Sequence, residues 1–265
     1  VAADPAFAPA VPMRRFSGRN VINGSIRVWV TTLPQLTLVC AAFLLPTFAL
    51  SWLPIQSADK NHIGWLVVLV SAIAFFLMQG AIVALVFQKL RQERPNVFAS
   101  IRAGVTRIFS LLGIAFLVYL TISISSMVVG LLIFAVFHSV TLFTVLLVPL
   151  IVLLFVAWSV AVPAAVVERL PPGRALARSM RLTKGVRLRV IGTLVPVAFV
   201  VFVGAFLSGL VVHSIGDGIG VIALIRGVFS AAFGSLLSVW SVVAYHELRE
   251  SKEGIGLEQL ASVFQ

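Results

Sequence analysis

Six stretches of the chain stay apolar on every side for about twenty residues or more, at 28–53, 64–85, 109–137, 140–167, 190–212 and 219–245. A hydrocarbon core about 30 Å thick is crossed by roughly 20 residues of helix, so each stretch is long enough to span one. Strands of a membrane barrel would alternate in polarity over about ten residues, and these runs do not. The pattern predicts an all-α polytopic membrane protein of about six transmembrane helices. Pro34, Pro46, Pro149, Pro163 and Pro196 fall inside or near the spans and predict kinks, which membrane helices tolerate because neighbours satisfy the freed carbonyls. The third and fourth spans meet at a tight turn near His138 and Ser139 that no charge or proline marks.

The segments between spans differ in length and pattern. On one side the connections are short: 54–63, the turn at His138, and 213–218. On the other side they are longer and amphipathic. Residues 96–108 set Val97, Ile101, Val105 and Ile108 on one helical face. Residues 172–184 set Arg174, Arg178 and Arg181 on one face, with Leu176, Met180 and Thr183 roughly opposite. Both predict helices lying in the headgroup plane, apolar side down. The same features recur along the chain. Segments 83–91, 162–170 and 241–249 each end an apolar span in a charged exit. The pairs Ser25 and Arg27, Ser100 and Arg102, and Ser179 and Arg181 stand at similar places. The reading is three units, each an amphipathic helix followed by a hairpin of two spans. Repeats of this kind occur in transporters, with sites between the units.

Composition agrees. The 265 residues are 60% apolar and 11% charged, against about 25% charged in soluble domains. The formal charge of +11 would suggest nucleic acid in a soluble protein, but here its distribution follows topology. Of the 20 basic residues, 18 flank the longer connections and the two ends, leaving Lys60 and Arg226 on the other side. The positive-inside rule puts both termini in the cytoplasm, as an even number of spans requires. Residues 1–13 read as a disordered tail without the charged region of a signal peptide, 14–250 as a single membrane domain, and 251–265 as a cytoplasmic tail. The single cysteine, Cys40, and four scattered histidines offer neither a disulfide nor a metal-ligand spacing, so no cofactor or metal is expected.

Few polar groups could carry chemistry. Glu168 and Glu247 hold matching places at span exits and are expected to form structural ion pairs, Glu168 with Arg174, Arg178 or an arginine of another unit. Arg226 lies within the sixth span, where a charge is costly, and Asp217 is its expected partner. Arg174, Arg178, Arg181 and Lys184 are the candidate contacts to a lipid headgroup or a protein partner. Glu168 and His246 are the nearest thing to an acid/base pair, at the rim. Gly227 and Gly234 share a helix face and predict a close seam with a neighbouring helix or a second copy.

Two segments carry a family resemblance. Residues 167–185, with Val167, Glu168, Gly173, Ala175, Leu176, Arg178, Ser179, Leu182, Thr183 and Gly185, and residues 245–254, with Tyr245, Leu248, Arg249, Lys252, Glu253 and Gly254, resemble bacterial six-helix membrane proteins similar to the membrane domain of glycerophosphoryl diester phosphodiesterase. His246 and Glu247 depart from that group's tyrosine and aspartate, and Pro171 and Pro172 precede the glycine. The resemblance implies the six-helix fold and a bacterial inner-membrane location. It does not imply hydrolysis, because in fused members that activity belongs to a separate barrel of about 250 residues, for which the six spans leave no room. The expected function is therefore a non-catalytic scaffold or envelope-associated protein. Its basic cytoplasmic face would meet anionic lipids, a protein partner or a second copy, and no nucleic acid. A transporter or lipid-handling protein with a site between units is the alternative, and a membrane-embedded enzyme a further one.

Overall fold

The computed structural model describes residues 16–51, 60–136, 140–215 and 219–254, and among these every regular element is an α-helix. In chain order they are α1 (Gly18–Ser51), α2 (Lys60–Leu90), α3 (Val97–Thr106), α4 (Ile108–Val136), α5 (Val140–Trp158), α6 (Ala161–Val167), α7 (Pro172–Thr183), α8 (Arg187–Ile215) and α9 (Ile219–Glu253). Six spans are long and apolar enough to cross a membrane: α1, α2, α4, the pair α5–α6, α8 and α9. The turn at 137–139, most of the 54–63 connection, and residues 216–218 lie outside the described residues, as do both tails except Phe16, Ser17 and residues 251–254.

The expected spans differ from the observed helices mainly at their basic ends. α1 begins at Gly18 and α8 at Arg187, and α9 continues to Glu253, so Arg19, Arg27, Arg249 and Lys252 ride on helices that run past the apolar stretch. Hydropathy marks where the chain enters lipid, whereas hydrogen bonding carries the helix on into the polar zone. The expected N-terminal amphipathic helix is correspondingly fused to α1. In the second and third units the short helix is separate: α3 ends at Arg107 before α4, and α7 ends at Lys184 before α8.

The fourth span is broken at Ser159 and Val160. Pro163 supplies the reason, since it has no N–H for the carbonyl four residues earlier, and its ring crowds that residue, which is Ser159. Pro149 and Pro196 sit inside unbroken helices.

α9 is the hub. It packs against α1, α8, α2, α7 and α6. Of its span 53% is buried, against 6% for α4. Trp240 and Tyr245 are its largest enclosed side chains and share one buried cluster with Val21, Leu36 and Val39 of α1, Ile82, Leu85 and Val86 of α2, and Val190 of α8. The enclosed helix is also the more polar one, with Ser235 and Ser238 buried. Peripheral α4 and α5 present Phe116, Leu131, Leu132, Leu146 and Phe155 outward. Lipid is as apolar as a protein core, so hydrophobicity does not pull a helix inward. Small and hydrogen-bonding residues do.

The short helices dock against the bundle, α7 through an apolar stripe and α3 most closely through its small residues. In α3 the buried residues are Ser100 and Gly104, while Val105 of the expected apolar face is exposed. A Cβ on Gly104 would stand 2.7 Å from the Leu77 carbonyl oxygen and 2.9 Å from the Ala81 nitrogen, so the backbones of α3 and α2 meet here. In α7 the inward stripe is Ala175, Leu176, Ser179, Leu182 and Thr183, and Met180 faces out. The repeat positions behave alike: Ser25, Ser100 and Ser179 are each fully buried, while Arg27, Arg102 and Arg181 are exposed.

Candidate functional site: a charge cluster at the basic end

The end of α6 builds the site. Glu168 caps that helix, its N–H donating to the Ala164 carbonyl. Arg169 follows in the left-handed region at φ 55°, costly for a residue with a Cβ. Pro171 is extended and Pro172 starts α7 at a position where its missing N–H costs nothing. This reversal turns α7 back across the mouth of the fourth span. Beside the Ser159–Val160 break, the Ala157 carbonyl accepts the Ser179 hydroxyl at 2.8 Å and the Thr183 hydroxyl at 3.4 Å. Gly113 of α4 receives the other end of α7, since a Cβ there would stand 2.4 Å from Cγ of Pro172.

So placed, Arg178 faces Glu168. Its Nε donates to Oε1 at 3.0 Å and Oε2 at 3.1 Å, and its Nη2 to Oε1 at 3.0 Å. The Tyr245 hydroxyl donates to the same Oε1 at 2.5 Å. Glu253, the last residue of α9, accepts from Arg178 Nη2 at 2.8 Å and from Arg249 Nε at 3.2 Å, and also pairs with Arg178 Nη1. Arg249 Nη1 stands 3.5 Å from the Tyr245 oxygen. The ionic side chains keep only 13–22% of their exposure. Two carboxylates against two guanidiniums make the cluster neutral. Hydrogen bonding to Glu253 and then to Glu168 holds the Arg178 guanidinium well above its ordinary pKa, against a desolvation cost, so it stays charged. Lys252 ties the layer to α7 through the carbonyls of Arg181 (2.9 Å) and Lys184 (2.6 Å).

The candidate residues therefore separate. Arg178, expected on an open recognition face, is held by the two carboxylates, whereas Arg174, Arg181 and Lys184 remain exposed. Glu168 joins Arg178. Glu247, expected in an ion pair, instead accepts the backbone N–H of Ser17 at 3.2 Å among the described residues. Pairing of Arg226 with Asp217 lies outside the described residues. His246 stands 3.7 Å from Glu250, and it is the adjacent Tyr245 that reaches Glu168, because neighbouring helical residues point about 100° apart. Nothing lies within 4 Å of a Cβ placed on Gly227, so this glycine of the expected seam makes no close helix contact among the described residues. Close approaches among the described residues fall at Gly104 of α3 against α2, at Gly80 against Leu111, at Gly113 against Pro172 and at Gly204, which faces the Phe233 ring. Tyr245 was missed as a partner of Glu168, and Glu253 as a partner of Arg178. Their only sequence signal was the arginine–glutamate spacing of Arg249 and Glu253, four apart on one helix face.

Farther into the bundle, Ser238 of α9 donates to the Gln79 side-chain oxygen of α2, and Trp240 Nε1 donates to the Thr193 hydroxyl at 3.2 Å. The buried Oε1 of Gln35 on α1 has no hydrogen-bond partner among the described residues. Nor do the described residues hold a group of three or more metal-ligating side chains.

The fold is that of an all-α polytopic membrane protein with an ion-paired layer at its basic end. Compared with known proteins, the chain matches no family model, no curated sequence and no solved structure.

Proposed function

We propose that this protein is a non-catalytic membrane scaffold of the bacterial inner membrane, akin to the six-helix group its two marked segments resemble, with both termini cytoplasmic. Its basic face meets anionic lipid headgroups. The carrying observation is the division of the basic residues: Arg178 and Arg249 are neutralised inside the bundle, while Arg174, Arg181 and Lys184 remain outward. Near an anionic leaflet each outward cation contributes about 1 kcal/mol. The non-catalytic reading is supported by Glu168, whose oxygens already accept Arg178 and Tyr245 and so offer no poised base.

Native mass spectrometry of the gently extracted protein tests this reading. Replacing Arg174, Arg181 and Lys184 together by Gln, with Arg178 left intact, is expected to strip co-purifying anionic lipid and leave the fold unchanged. Equal lipid retention by the two proteins would sink the proposal.

A second reading, transport between repeat units, is favoured by the buried Ser238 of α9 bonded to the half-buried Gln79 of α2, and by the buried, unpartnered Oε1 of Gln35 on α1 among the described residues. It expects a cysteine placed at Ser238 to react with a water-soluble thiol reagent in membranes. Protection from the reagent argues for a sealed interior.

A further inference from the structure

The two carboxylates of the charge cluster are not equally committed. Glu168 is fixed from all sides, by Arg178 and by Tyr245, on a stretch of chain that cannot move without undoing α7. Glu253 is held as firmly but stands on an end. It is the last residue of α9, followed by Gly254 in the left-handed region at φ 64°. Unwinding the final turn of α9 would withdraw it together with Lys252, at the cost of the Lys252 bonds to the Arg181 and Lys184 carbonyls, and would leave the membrane spans in place. Helix ends are where such local opening is easiest.

Its carboxylate bridges two guanidiniums from different elements, Arg178 on α7 and Arg249 on α9. Phosphate oxygens take the same forked geometry, with more charge and more acceptors than a carboxylate. Were Glu253 withdrawn, Glu168 alone would face the two arginines, leaving an excess of one positive charge. The residual exposure of Arg178 (18%) and Arg249 (13%) opens one edge of this fork to the surface.

We infer that Arg178 and Arg249 form a site for a phosphate-class anion, either the phosphomonoester of a lipid headgroup or free phosphate, and that Glu253 occupies it as a displaceable latch built into the chain. This inference rests on the proposed encounter of the basic face with anionic headgroups and gives that face an internal, gated site. Anion binding exchanges one set of charge-assisted hydrogen bonds for another and releases the last turn of α9. The C-terminal end thereby reports on the membrane surface.

The test uses the full chain in neutral detergent micelles, with native mass spectrometry reading bound phosphatidic acid, phosphatidylcholine or inorganic phosphate. Glu253→Gln removes the competing charge. It is expected to hold phosphatidic acid about five-fold more than wild type, as removal of a competitor that fills the site most of the time requires. Adding Arg249→Gln to that variant should abolish the gain. A gain with phosphatidic acid alone assigns the site to a lipid headgroup, and a parallel gain with inorganic phosphate assigns it to the phosphate group itself. Equal retention by wild type and Glu253→Gln overturns the latch. Should the variant fail to fold, hydrogen exchange on wild type decides: phosphatidic acid must speed exchange of amides 250–254, and no change there overturns the proposal. Loss of lipid from the variant lacking Arg174, Arg181 and Lys184, together with equal retention by Glu253→Gln, defeats the latch and spares the proposed function. The opposite pair of results does the reverse.

Discussion

Replacing Glu168 by Ala is expected to destabilise the protein by about 3 kcal/mol, the low end of the cost of orphaning one partner of a buried ion pair. The loss is large because this carboxylate accepts from Arg178 and from the Tyr245 hydroxyl at once, joining the mouth of the fourth span to α7 and α9. The ion pair is enclosed enough that water cannot replace the carboxylate freely. Denaturant unfolding in detergent, followed by tryptophan fluorescence, measures the effect. Arg178→Ala added to Glu168→Ala should cost less than it does in the wild type, because one of its two carboxylate partners is already gone and only Glu253 remains to be orphaned. A loss under about 1 kcal/mol for Glu168→Ala, the range of an exposed pair, would show that the cluster does not hold the helices together.

The second large effect is steric. Gly104→Ala places a methyl 2.7 Å from the Leu77 carbonyl oxygen and 2.9 Å from the Ala81 nitrogen, both backbone atoms of α2. Neither can rotate away, so α3 must lift off α2. The expected cost is about 1–3 kcal/mol, as for overpacking a filled core. Gly173→Ala is the control. It adds the same methyl at the start of α7, where nothing stands within 4 Å, and is expected to leave stability unchanged or raise it by up to about 1 kcal/mol through helix propensity. Unfolding midpoints shifted in the same direction by both substitutions would refute the backbone contact as the cause.

Much of the cluster was legible and part of it was not. Glu168 and Arg178 stand ten residues apart across a proline-started helix, close enough for the chain itself to suggest the pair. Glu253 is 75 residues from Arg178, and nothing in local pattern fixes which outward or inward facing α9 takes. The apolar face assigned to the 96–108 segment was right in Val97 and Ile101, which pack against the core, and failed at Val105 for the same reason. Periodicity reads where apolar residues gather, but α3 is drawn in by Ser100 and Gly104, which permit a close approach. Val105 is left outside, where lipid receives it as well as a core would.

The sequence by itself determined the insertion of six helices, because burying backbone polar groups in hydrocarbon admits few solutions and apolar run length reports them directly. It also determined which ends are basic; that the fourth span breaks ahead of Pro163 while Pro149 and Pro196 sit in unbroken helices was decided by the structure. Only the tertiary structure decided that α9 occupies the centre and α4 the rim, and that α7 docks on the Ala157 carbonyl. The division of the arginines into a neutralised pair and an outward face was decided there too. In a membrane the hydrophobic effect chooses what enters but not what faces what. That choice falls to small-residue contacts and to hydrogen bonds between residues far apart in the chain, which no local pattern records.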